Sequence, residues 1–562
     1  MKKIILITLL CSLQSFGQYS FEQFSTYTGS LSGGAKYYTI FNNELYFNAA
    51  STPSTSNFEL WKTNGTQTGT TQVSDIVPGF EGSSPFSFQE FNGYLYFTAY
   101  SSTTGRELYR TDGTTTTLFK EINVGSGSGF DLSADRHKFI VLNNKMYFFA
   151  RDIAGSYDLW RTDGTTTGTQ KMVEVNGFGL GDKDRFIEVN GELFFVMDDD
   201  NENTIGSELY KYNETTNTVT LVKDINPNNG TTSGVHITSL TKFDNKLFFS
   251  ANNGLSNRLY VSDGTENGTF IVENTTPLNY LQPRKLFVFN NELYFIAFKI
   301  GAGQDLLKCK KNNNIYELEV VYDTNATGNP ALNPFNFFGL NDYCIHNNEL
   351  YFVAREQSAP NNGSIYQIYK TNGVGAQIAF SISTANVGNT SGNDIHNFII
   401  YDNKLFFMMT GINMPEPQLW VANFVDGSIS RLTNYGGPDT QPQGLRADRA
   451  PIIYNNNIYF SGFTSTNGEE LWKLSSSDLS LNQNVSSENH KIYPNPTSNF
   501  LNIEMEHTAN FKIEIYDVLG KKVASFLNQK KVDISDLDNG MYIVRTINLE
   551  NYLSQSQKII KQ

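Results

Sequence analysis

The sequence predicts an all-β chain: a large repeat domain of about nine four-stranded units, followed by a small β-sandwich. Three observations carry this reading. A hairpin signature recurs nine times, at spacings of 46 to 57 residues. A second signature, Leu or Ile followed in eight copies by Trp or Tyr, trails each hairpin. No stretch sustains the 3.6-residue apolar period of an amphipathic helix. Self-similarity at this spacing marks supersecondary units that bury their apolar faces only by stacking.

Taken from the N-terminus, residues 1–17 read as a secretory signal. Lys2 and Lys3 are the basic start, Ile4 to Leu13 the short apolar run, and Ser15-Phe16-Gly17 the small-residue stretch before cleavage at Gln18. The run is too short to span a bilayer, and no apolar stretch of about 18 residues occurs elsewhere. Two cysteines then remain, Cys309 and Cys344. An exported protein that relied on disulfides would carry more, so both read as small buried apolar groups, with a single bridge between them left open.

The hairpin signature runs "NNELYF" at 42, "NGYLYF" at 92, "NNKMYF" at 143, "NGELFF" at 190, "DNKLFF" at 244, "NNELYF" at 290 and 347, "DNKLFF" at 402 and "NNNIYF" at 455. Asn-Asn, Asn-Gly and Asp-Asn tolerate the positive φ of a two-residue hairpin turn. Each copy therefore reads as strand a, a tight turn, strand b (x-Leu-Tyr-Phe), strand c (Glu-Leu-Trp), an Asp-Gly-Thr turn and strand d. In strand b three large apolar residues are consecutive, so both faces need cover. All four tryptophans (Trp61, Trp160, Trp420, Trp472) fall at one position of strand c. Burying such a ring stabilises by about 1.5–3 kcal/mol, which only neighbours on both sides supply. A closed ring of sheets leaves no uncovered end, so the expected architecture is a β-propeller over residues 18–474. Copy nine lacks a strand d, and Phe21 to Gly34 align with strand d and its connector; the N-terminal strand is expected to complete the last sheet. Eight blades with one degenerate copy, or two smaller rings, stay open.

The Leu-Trp-x-x-Asp-Gly-Thr pattern resembles the ELWxxDGT repeat family of bacterial exported proteins. The resemblance spans roughly Phe21 to Lys473 and weakens at Leu307 to Asn312. It implies architecture and no activity.

A Ser/Asn-rich linker is expected at 475–488. The tail, residues 489–562, alternates short strands with turns at Asn495-Pro496, Leu519-Gly520 and Asn539-Gly540. Its Tyr493-Pro494-Asn495-Pro496, Tyr516-Asp517, Gly520-Lys521, Gly540-Met541-Tyr542 and basic end with Lys558 and Lys561 closely resemble the type A C-terminal sorting domain of type IX secretion cargo. That resemblance implies recognition by the type IX translocon, passage through the periplasm and delivery to the outer surface or medium. It also implies removal of the tail, with release or attachment to surface polysaccharide.

Charge and motifs narrow the function. Lys and Arg total 42 against 56 Asp and Glu, a balance of −14 without a basic cluster, which argues against nucleic acid as the main partner. No zinc-protease His pair occurs, Gly125 to Gly129 is not a nucleophile elbow, and no Cys–His pair has active-site character. The candidate metal residues are Asp198, Asp200 and Glu202, in the b–c loop of copy four, with Asp182 and Asp184 on the same face. Hard oxygen ligands suit Ca²⁺, but consecutive acids depart from the alternating spacing of a calcium loop and favour a solvated turn. The Asp residues of the recurrent turn (Asp112, Asp163, Asp263) read as turn formers rather than a carboxylate ring. The resulting expectation is an exported binding protein whose variable b–c and d–a loops take polysaccharide or a surface protein. A polysaccharide hydrolase or lyase with acidic pairs in a central funnel is the alternative. A structural or adhesive surface component is the third.

Overall fold

The computed structural model describes residues 19–24, 34–50, 57–79, 81–131, 138–155, 157–177, 186–198, 207–226, 237–272, 280–299, 303–312, 315–323, 343–355, 366–383, 394–411, 416–446, 448–476, 491–504, 511–517, 522–527, 529–548 and 554–562. The expected signal segment and most of the expected linker lie outside them. Two compact units divide the chain, residues 1–476 and 477–562.

Among the described residues, the first unit holds nine antiparallel sheets in chain order. Sheet one is Lys36–Phe41, Glu44–Ala50, Phe58–Thr63 and Thr71–Ser74, strands a to d of a meander. Sheets two to eight repeat that order. Each a–b turn has both central residues at positive φ, from Asn42 (49°) and Asn43 (61°) to Asn455 (46°) and Asn456 (56°). This is the type I′ geometry whose twist matches the flanking strands, and Asn, Asp and Gly adopt it with least strain.

Sheet nine differs. Its core strands are Asn457–Thr464 and Gly468–Ser476, and the N-terminal strand Tyr19–Phe24 pairs antiparallel with the latter, from Tyr19 with Ser476 to Phe24 with Leu471. The position left vacant by copy nine is thus filled from the other end of the chain. Strand pairing carries Gly468–Ser476 two residues into the stretch expected to be linker, because Ser475 and Ser476 find backbone partners in Ser20 and Tyr19.

Strand b is covered on both faces. Leu45 and Phe47 pack with Trp61 of their own sheet and with Phe24, Tyr459 and Leu471 of sheet nine, while Tyr46 packs with Leu95 and Phe97 of sheet two. The same division recurs at every junction, and the core contacts run from each sheet to the next and from the ninth back to the first. Trp61, Trp160, Trp420 and Trp472 are 8, 7, 3 and 1% exposed. Leu307, where copy six lacks an aromatic, is buried in the same position.

A polar staple repeats beside this core. Lys62 Nζ donates to Gly113 O at 3.0 Å, Arg110 Nη1 to Gly164 O at 3.0 Å, Lys308 Nζ to Gly373 O at 2.9 Å and Lys473 Nζ to Gly65 O at 3.2 Å. In each, the cation after the strand-c aromatic, or after Leu307 in copy six, reaches the Gly of the next sheet's c–d turn. That Gly has a positive φ, and at Gly113 a Cβ would stand 2.7 Å from Tyr46 Oη. Turn geometry and the close approach both require glycine there.

The second unit is a two-sheet sandwich. Lys491–Tyr493, Phe500–Glu504 and Lys531–Asp533 form one sheet, and Lys522–Leu527, Phe511–Tyr516, Gly540–Asn548 and Ser554–Lys561 the other. Their alternating inner residues, Leu501, Ile503, Val532, Ile513, Ile515, Val544 and Ile559, share one core.

Candidate functional site

Of the predicted metal residues, Asp200 and Glu202 lie outside the described residues, as do Asp182 and Asp184. Asp198 ends its strand, with Ser207 as its backbone partner. Among the described residues no three His, Cys, Asp or Glu groups stand together as a metal site. Cys309 and Cys344 are both free thiols.

The turn aspartates are engaged locally. Asp163 Oδ1 accepts the Thr165 N–H at 2.9 Å and its hydroxyl at 2.7 Å, and Asp263 does the same with Thr265. The preceding Thr162 Oγ1 accepts the Gly164 N–H and meets Thr169 Oγ1 at 2.7 Å. At Asp112 the donors are the N–H of Thr115 and the N–H and hydroxyl of Thr114, and they pull its carboxyl down to about 2. These carboxylates close turns, as the composition of the motif predicts.

A different acid position proves more consequential, the residue before the strand-c leucine. It is Glu59, Glu107, Asp158, Glu208, Asp305, Gln367, Gln418 or Glu470 in eight copies, with Arg258 in copy five. All eight are buried. Glu107 Oε2 accepts the Ile122 N–H at 2.6 Å, while Oε1 accepts those of Asn123 at 3.2 Å and Gly129 at 2.9 Å. Glu59 likewise holds the N–H groups of Ile76, Val77 and Ser83, and Gln367 brackets Ile382 through its N–H and its carbonyl. The side chain pins the segment that leaves strand d toward the next sheet. Burial pushes Glu107 up to about 7 and Glu208 up to about 8. The signal was present in the repeat register, but its role needs the fold-back of the connector, which no local pattern encodes.

One face of the unit therefore carries d–a connectors whose backbones are fixed from beneath. Asn123 Nδ2 extends this to the neighbouring b–c loop by donating to Asp152 O at 3.4 Å. The b–c loops at 51–56, 199–206, 356–365 and 412–415 lie outside the described residues.

The fold so described is an all-β, multi-sheet chain with a separate C-terminal sandwich. Residues 491–562 match the family described as the secretion system C-terminal sorting domain. That tail, of the type IX system, directs the protein to the cell surface or extracellular space and to the secretion machinery on the way. An ulvan lyase of Nonlabens ulvanivorans is 26% identical over 114 residues, 19% of this chain and 21% of that one, so the match spans only about a fifth of either. Among solved structures, the extracellular domain of BT4673 from B. thetaiotaomicron is 12% identical with a TM-score of 0.27, covering 93% of this chain and 74% of that one. PorZ, a surface component of the type IX secretion system of Porphyromonas gingivalis, is 12% identical with a TM-score of 0.23, covering 93% and 81%.

Proposed function

We propose that the first unit is a nine-bladed β-propeller that binds polysaccharide or protein at or beyond the cell surface. The ring reading is supported by the unbroken cycle of core contacts and by the use of one staple within the series and across sheets nine and one. The observation that carries the binding reading is the set of buried strand-c side chains holding the connector backbones. Loops fixed in advance lose less entropy on binding, and that favours recognition by a rigid scaffold with variable loops. The Leu-Trp-x-x-Asp-Gly-Thr repeat is, on this reading, the code for the ring and not for a reaction.

The test is a screen of the exported chain against immobilised glycans and against extracted surface proteins. Retention of a defined glycan or protein is the expected result. Release of shortened or unsaturated sugars from a polymer would replace this reading with an enzyme, and the absence of any retained partner would remove it.

A further inference from the structure

The strand-c acid of copy four departs from its counterparts. In copies one and two both carboxylate oxygens are taken. Glu59 accepts the N–H groups of Ile76, Val77 and Ser83 and the Ser83 hydroxyl, and Glu107 accepts those of Ile122, Asn123 and Gly129. Glu208 is 0% exposed, and its Oε2 accepts the Ile225 N–H at 3.1 Å, but Oε1 has no hydrogen-bond partner among the described residues. Asp224, the first residue of the following connector, likewise has a buried Oδ1 with no partner among the described residues. Its counterpart Glu121 in copy two accepts the Gly125 N–H at 2.8 Å.

The two acids are neighbours. Leu209 pairs with Lys223 across strands c and d, so Glu208 and Asp224 are the next residues along on adjoining strands. Burial pushes Glu208 up to about 8 against the pull of the Ile225 N–H; the Asp224 charge adds to the rise and the Asn226 N–H opposes it. Among the described residues no cation, Arg258 of sheet five included, acts on Glu208. Arg258 Nη1 donates to Tyr280 O at 3.2 Å, and Lys223 Nζ to Thr269 O at 2.8 Å. Two carboxylates desolvated side by side are costly, and a cation between them removes that cost.

The surroundings are rich in oxygen. Asn226, itself buried, sets its Oδ1 so close to Gly254 of sheet five that a Cβ there would stand 2.7 Å away. Asp224 and Asn226 are two residues apart, the alternating spacing of a calcium loop that the run from Asp198 to Glu202 lacks. Asp198 pairs with Ser207, so that acidic run begins at the same end of the sheet.

We propose that Glu208 and Asp224 hold a calcium ion between strand c of sheet four and the connector to sheet five, with the Asn226 amide oxygen beside them. Calcium takes carboxylates, amide carbonyls and water together in a flexible shell, so two acids and one amide leave room for water. The half-buried Asp224 gives the ion its way in. The bound ion would tie the connector of copy four to its strand c, the task that hydrogen bonds perform at Glu59 and Glu107.

The test is equilibrium dialysis of the full chain against calcium up to about 1 mM, the range of extracellular calcium modules, with thermal midpoints in calcium, magnesium and EDTA. Glu208→Gln keeps an acceptor for the Ile225 N–H and Asp224→Asn keeps the shape of a half-buried side chain, and midpoints in EDTA check that both fold. A combined Asp198→Asn, Asp200→Asn and Glu202→Gln variant probes the acidic run. Expected is retained calcium and a midpoint raised more by calcium than by magnesium, with affinity lowered about tenfold or more by Glu208→Gln and by Asp224→Asn. Wild type that retains no calcium overturns the site, as does a calcium effect that survives both single variants. Loss of the effect in the combined variant alone moves the ion to the acidic run and overturns this assignment. An equal rise in magnesium overturns the choice of calcium.

Discussion

Tyr454 Oη donates to the carbonyl oxygen of Asn43 at 2.6 Å, joining residues 411 positions apart. One sheet earlier, Tyr401 Oη makes the same bond to Asn456 O at 2.9 Å. In both, the last residue of strand a caps the second turn residue of the following sheet. The contact between sheets nine and one is therefore of the same kind as that between sheets eight and nine.

Tyr454→Phe is expected to lower stability by about 0.5–1.5 kcal/mol, the worth of one intramolecular hydrogen bond. Tyr454→Ala, which also empties a buried ring site, is expected to cost about 3–5 kcal/mol. Urea unfolding followed by tryptophan fluorescence reads both. No change in either variant would mean that the sheets nine and one junction is not closed in solution.

Gly113 and Gly79 both have positive φ, at 98° and 112°, but a Cβ would meet Tyr46 Oη at 2.7 Å only at Gly113, with nothing within 4 Å at Gly79. Gly79→Ala is expected to cost about 1–2 kcal/mol from backbone strain, and Gly113→Ala about 1–3 kcal/mol more from the clash. Tyr46→Phe removes the oxygen and recovers part of the second cost. Equal penalties at the two glycines would rule out the close approach.

Glu107→Ala takes the acceptor from the Ile122 and Asn123 N–H groups and one of two acceptors from that of Gly129, and is expected to cost about 2–4 kcal/mol. Amide exchange at Ile122, Asn123 and Gly129 should accelerate, while the strand amides of sheet two keep their protection. Uniform acceleration would instead indicate general destabilisation.

Burial holds Glu107 at about 7 and Glu208 at about 8, above their ordinary 4.5. Between about 4.5 and those values the folded chain keeps protons that the unfolded chain has released, so their contribution to stability falls as pH rises through that window. Asp112 is displaced the other way, to about 2, so its contribution is present above about 4 and lost as pH falls toward 2. Glu208→Gln keeps an acceptor for the Ile225 N–H and removes the desolvated charge. The variant is expected to lose less stability than wild type between about pH 5 and pH 8.5, compared by urea midpoints.

The repeat, its turns and its latch were legible because each rests on short-range chemistry. Asn42-Asn43 names its own turn, consecutive Leu45, Tyr46 and Phe47 name two buried faces, and a missing strand in copy nine beside a surplus strand at Tyr19–Phe24 names their pairing. What escaped depends on contacts between distant segments. Glu107 looks like any strand acid until the connector folds back over it. The bulges that set Tyr37, Ser87, Ser239, Lys285 and Asn397 at positive φ carry no glycine and no common residue. The bond from Tyr454 to Asn43 exists only once sheets nine and one are placed side by side.

The pairing of Tyr19–Phe24 with Gly468–Ser476 also sets a timetable. The segment synthesised earliest in this unit has to wait for the one synthesised last, so intermediate lengths of chain carry two raw edges with Leu45 and Phe47 on one and the newest strand on the other. This pairing can form only when the roughly 450 intervening residues are present, a contact of high sequence separation that is slow to close.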